Sequence, residues 1–138
     1  MTSLKSLEGV KAVEVLAAEN STILLPRVDG NSGSMVSKQL HVSEGDRLAI
    51  VSMYGLSNDW FFATECNGVD ATIQGDISTS IRLYDSGTAA NQFPGAGNNQ
   101  ANLGGTPVQE QEPIREVPNP NPYNKMPNIA DMIKVTLQ

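Results

Sequence analysis

Two short runs of apolar and aromatic residues, each bounded by a single aspartate, constrain the fold of this chain more than any other feature. Trp60 and Phe61 follow Asp59 in Ser57-Asn58-Asp59-Trp60-Phe61, and Ile81, Leu83 and Tyr84 precede Asp85 in Ile81-Arg82-Leu83-Tyr84-Asp85-Ser86-Gly87-Thr88. Pleated, half-buried strands favour such side chains, and Ser86-Gly87 breaks the second run. Each aspartate therefore sits where a strand meets a turn. Two acids at strand ends on one rim repel each other unless something positive lies between them. A hard cation such as calcium is the simplest candidate, because it takes carboxylate, carbonyl and water oxygens. The alternative is that Asp59 and Asp85 cap their own turns through hydrogen bonds between side chain and backbone.

The rest of the chain reads as short strands around these two. Val36, Lys38, Leu40 and Val42 alternate with polar residues, Ser43-Glu44-Gly45-Asp46 turns the chain, and Arg47 to Tyr54 is apolar on both faces, which predicts a central strand. Trp60 to Thr64, Ile77 to Tyr84 and Asp131 to Leu137 complete five strands, with Asn67-Gly68 a short-turn signal. Before them, residues 1–33 form a lead-in. Leu4, Leu7, Val10, Val13 and Leu16 recur at helical spacing, predicting a short helix between Leu4 and Asn20, and Asp29-Gly30-Asn31-Ser32-Gly33 is a turn-rich loop. That loop fails as a helix-loop-helix calcium site, because Leu40 stands twelfth where a bidentate Glu is needed. Residues 89–128 lack periodicity and read as one long irregular loop, rich first in Asn and Gly and then in Pro.

Composition narrows the function classes. Charged residues make up only 17% of the chain, so uncharged polar residues carry much of the surface, which suits a loop-rich β protein. The net charge of −6 repels phosphate, and no cationic patch is visible, which argues against a nucleic-acid role. A length of 138 residues predicts a single domain over 1–138. No apolar run is long enough to span a membrane, and the first residues lack a signal-peptide pattern. Cys66 is the only cysteine, expected as a small buried or half-buried thiol, and the lone His41 as a solvated surface residue.

Four blocks in a fixed order resemble the spondin N-terminal domain, found in F-spondin and mindin and in many bacterial secreted proteins. They are Ser52-Met53, Ser57-Asn58-Asp59-Trp60-Phe61, Tyr84-Asp85-Ser86-Gly87-Thr88, and Met126-Pro127-Asn128-Ile129-Ala130 running into Ile133-Lys134-Val135-Thr136-Leu137. The match covers roughly Ser34 to Leu137. The resemblance implies a mainly-β fold, an antiparallel β-sandwich similar to membrane-binding C2 domains, with calcium at one end. It places metal ligands at Asp59 and Asp85. The family's third acid falls on Ala89, so further oxygens come from backbone carbonyls, water or a neighbour such as Asn91. The family has more strands than the five read here, and its first strands would precede Leu4, which leaves open sheet edges.

Three functions follow as expectations. The first is a secreted or cell-surface, calcium-stabilised binding or adhesion module without catalytic activity, whose partner is a protein or glycan at the cell surface or matrix. The second is a structural subunit of a surface assembly or filament, its open edges completed by a strand from another chain. The third is a hydrolase that could use Asp59 and Asp85 for acid-base chemistry; against it, His41 sits on a different strand, and Cys66 and the serines lack a matched base nearby in sequence.

Overall fold

The computed structural model describes residues 4–15, 37–55, 57–96, 104–123 and 128–138. The chain forms two units, Met1–Leu40 and His41–Gln138.

In the first unit a single 3-10 turn, Leu4–Ser6, stands where a helix over Leu4 to Asn20 was expected. Gly9 adopts φ +83°, and residues 10–15 run without helical structure. Leu7, Val10 and Val15 are exposed. The spacing is helical, but most helical stability comes from a packed apolar face, and here these apolar side chains stay in solvent. Residues 16–20 of that expected helix, together with the 29–33 loop, Val36 and the 126–127 part of the last sequence block, lie outside the described residues.

The strand pairs described in the second unit are all antiparallel, and the chain is mainly β, the class expected. Its main sheet orders four strands as β2 (Val51–Met53), β3 (Trp60–Thr64), β6 (Ile81–Asp85) and β7 (Arg115–Glu116). Two smaller sheets pair β1 (Arg47–Leu48) with β4 (Val69–Asp70), and β5 (Gly75–Asp76) with β8 (Thr136–Leu137). The centre is the β3–β6 ladder, with Trp60 opposite Asp85, Phe62 opposite Leu83 and Thr64 opposite Ile81. Alternation sorts its side chains. Trp60, Phe62, Ile81 and Leu83 form the core with Val117, against which Tyr54, Ile129, Met132, Ile133 and Val135 pack. Burying each large side chain contributes roughly 1.5–3 kcal/mol. Phe61 and Tyr84, also opposite each other, stack with ring centres 5.5 Å apart.

Several expected elements differ. The strand over Val36 to Val42 does not form in residues 37–43, where Leu40 and Val42 are exposed and no described strand pairs with them. The run Arg47 to Tyr54 divides between two partners, β1 with β4 and β2 with β3, the second joined by Thr64 N to Ile50 O at 3.1 Å. Among the described residues its second half is an edge rather than the centre. Thr79 and Ser80 belong to a 3-10 turn, Ser78–Ser80, so the strand expected from Ile77 begins at Ile81. Only Thr136–Leu137 of the last expected strand is paired; Ile129–Asp131 is a 3-10 turn. Cys66 is exposed rather than buried, in the turn closed by Gly68 N to Glu65 O. His41 is exposed as expected.

The largest difference concerns residues 89–128, which are not irregular throughout. Beyond Asp85 the chain continues to pair with the returning limb: Glu112 N to Gly87 O at 2.9 Å, Glu110 N to Thr88 O at 3.0 Å and Ala90 N to Val108 O at 2.8 Å. The proline-rich half then supplies β7, with Tyr84 opposite Glu116 and Asp85 opposite Arg115, and its Val117 enters the core. Prolines fix extended backbone, which is also what an edge strand needs.

Candidate functional site

Asp59 and Asp85 reach the same rim of the sheet, as the sequence predicts. Asp85 is the last residue of β6 and faces Trp60, while Asp59 O accepts from Ser86 N at 3.3 Å. Both are buried, Asp85 to 1% and Asp59 to 5% exposure. A buried carboxylate is costly unless it is paired or hydrogen-bonded, so the donors around each decide what the rim can do.

Asp59 is held through one oxygen. Its Oδ2 accepts from Thr88 N at 2.8 Å, Ala89 N at 2.9 Å, Ser86 Oγ at 3.0 Å and Thr88 Oγ1 at 3.1 Å. Its other oxygen, Oδ1, is buried and has no hydrogen-bond partner among the described residues. The preceding turn is set by Ser57, whose hydroxyl donates to Tyr54 O at 2.7 Å and accepts from Trp60 N at 2.9 Å. Asn58 donates to Ala90 O at 2.7 Å, fastening the same turn to the following loop.

Asp85 uses both oxygens. Gly87 N donates to Oδ1 at 2.8 Å, a cap of its own turn. Asn91 Nδ2 and Arg115 Nη2 each reach Oδ2 at 2.9 Å. The orientation of the Asn91 amide follows from chemistry. The indole N–H of Trp60 can only donate, and it meets Asn91 Oδ1 at 2.6 Å, so the amide NH2 must face Asp85. Arg115 forms an ion pair with Asp85 from a half-exposed position. The hydrogen bond that Arg115 donates to Asp85, and then the charge of that carboxylate, hold the guanidinium pKa above its already high ordinary value.

Gly87 makes this crossing possible. It adopts φ +70°, and a Cβ there would collide with the Glu112 carbonyl of the returning limb. Only glycine allows the two limbs to approach so closely.

Both alternatives for the aspartates can be weighed on this geometry. Each caps a local or nearby turn, and Arg115 is the positive charge beside Asp85. The donor set does not fit calcium, which takes about six to eight oxygen ligands. Three of the four carboxylate oxygens already accept N–H or O–H donors, and Asp59 Oδ1 is the one without a donor among the described residues. Ala89 turns its amide N–H toward Asp59, and Asn91 turns its NH2 toward Asp85, so neither presents an oxygen there. Donors are arranged here to receive anions.

Sequence reasoning missed Arg115. A signal was present: Ile114-Arg115-Glu116-Val117 lies between Pro113 and Pro118, a short run bounded by residues that favour extended backbone. Nothing in that run says that its partner is Asp85, 30 positions earlier.

No protein-family model matches the chain, and neither a curated protein nor a solved structure matches it. No helix among the described residues is long and apolar enough to cross a membrane.

Proposed function

We propose that the chain is a secreted or cell-surface binding module of the spondin N-terminal type, without catalytic activity, whose sheets are the layers of a C2-like sandwich. The order of the four sequence blocks and the convergence of Asp59 and Asp85 on one rim support this reading. The observation that carries it is the way the rim anchors a long polar segment. Residues 86–91 and 108–115 are tied to the sheet end by Asp59, Asp85 and backbone pairing, while Phe93, Val108, Ile114 and Tyr123 remain exposed on them or beyond them. Phe93 and Tyr123 meet edge to face, with ring centres 5.7 Å apart. Exposed aromatic side chains flanking segments fastened to a sheet are the chemistry of binding hot spots. The rim carboxylates accept hydrogen bonds from the chain itself, which suits an anchor better than an acid-base pair.

The test is binding of labelled protein to glycan arrays and to immobilised extracellular-matrix proteins, beside a Phe93→Ala/Tyr123→Ala variant with an unchanged melting temperature. Saturable binding that the variant loses is expected. Binding to neither surface, or binding indifferent to the aromatic pair, contradicts the proposal.

One observation favours the second reading, a subunit of an assembly. β2 is an outer strand of the main sheet among the described residues, and Val51 and Met53 on it are 69% and 64% exposed. Tyr54 N to Trp60 O and Thr64 N to Ile50 O direct the even-numbered residues toward β3, so Val51 and Met53 turn their backbone groups outward. Such an edge accepts another strand. Light scattering of concentrated wild type and Val51→Lys separates the readings: association lost in the variant supports assembly, and a monomer at all concentrations excludes it.

A further inference from the structure

We propose that Arg115 is the resident counter-ion of Asp85, supplying from the chain itself the positive charge that this buried carboxylate requires while N–H and O–H donors hold Asp59, so that the rim closes without a divalent metal. The inference does not depend on what the module binds.

Three features carry it. The guanidinium is placed by the backbone, because Arg115 stands opposite Asp85 in the β6–β7 ladder. Two residues further on, Val117 N donates to Leu83 O at 2.8 Å and its side chain is in the core, so the strand that brings Arg115 cannot drift from Asp85 without uncovering that core. Second, the exposure is asymmetric: Asp85 is fully buried and Arg115 half-exposed, so the arginine closes the acid from above while keeping part of its own hydration. Third, the other donors to these carboxylates are backbone N–H groups of Gly87, Thr88 and Ala89, the Asn91 amide and the Ser86 and Thr88 hydroxyls. A divalent ion would have to displace the guanidinium and turn these groups away. The free oxygen, Asp59 Oδ1, offers one ligand where several are needed.

The consequence is a rim whose stability follows the arginine and not the calcium concentration. It is tested by melting the full chain in EDTA and in millimolar calcium, as wild type, Arg115→Met and Arg115→Lys. Methionine keeps most of the apolar stem and removes the charge; lysine keeps the charge. The wild type is expected to melt at one temperature in both buffers, Arg115→Met roughly 5–10 °C lower, and Arg115→Lys between them. A wild-type melting temperature that calcium raises by roughly 5 °C or more, as an occupied site would, overturns the proposal whether or not the variants fold. So does an Arg115→Met protein that melts with the wild type, or an Arg115→Lys protein that melts as low as Arg115→Met.

Discussion

Two flanks of the same four-stranded sheet invert the usual sorting of side chains. At the rim, charged Asp85 and Asp59 are buried to 1% and 5% exposure; along β2, apolar Val51 and Met53 are 69% and 64% exposed. The difference is the supply of partners. The rim is surrounded by a returning limb that brings backbone N–H groups, an amide and a guanidinium, whereas β2 has β3 on one side and no described strand on the other. Burial here follows what each group can pair with, and hydrophobicity alone does not decide it.

That contrast is open to direct attack. Asp85→Ala should be the most damaging change at the rim, costing about 3 kcal/mol, because it removes the acceptor of Gly87, Asn91 and Arg115 from a buried position. Chemical denaturation of wild type and variant measures it, and a cost near zero would show that the rim's partners are incidental. Gly87→Ala should cost about 2 kcal/mol by the same measurement, through the collision with Glu112 and a strained positive φ. On the other flank, Val51→Thr should change stability by less than about 0.5 kcal/mol, the value usual for solvent-facing positions. A large loss there would mean that the β2 edge is covered.

A smaller effect sharpens the comparison from an exposed site. Hydrogen bonds from the Ser78 side chain and backbone hold the Asp76 carboxyl below the usual aspartate range, and those from the Thr72 backbone and hydroxyl do the same for Asp70. A depressed carboxylate contributes stability above its unfolded pKa, about 3.9, and that contribution is lost as pH falls through the lower folded value. Asp76→Asn should therefore reduce stability slightly at neutral pH and flatten the acid limb below about pH 4, as read by melting temperature against pH.

Much of the β architecture was legible from residue types, because Trp60-Phe61 and Ile81 to Tyr84 carry both strand propensity and burial, and each meets a turn at an aspartate. The shared rim was legible for the same reason. The helix expected over Leu4 to Asn20 shows where periodicity stops informing: its spacing was helical, but Gly9 and the exposure of Leu7, Val10 and Val15 leave residues 4–15 with one short turn. Arg47 to Tyr54 looked central because both faces were apolar, yet its halves pair with different strands and the second half is an edge among the described residues. Arg115 was hidden for a topological reason. A single arginine in a proline-rich run has no local pattern, and its role exists only through pairing with Asp85 across the long crossing.

Amide hydrogen exchange at Gly87, Thr88 and Ala89 tests the central claim most directly, since these N–H groups are the donors that hold the two acids. In EDTA all three should be protected in the wild type, with Thr88 and Ala89 losing protection in Asp59→Ala and Gly87 losing it in Asp85→Ala. Fast exchange of these amides in the metal-free wild type, slowed only when calcium is added, would contradict a rim held closed by its own donors.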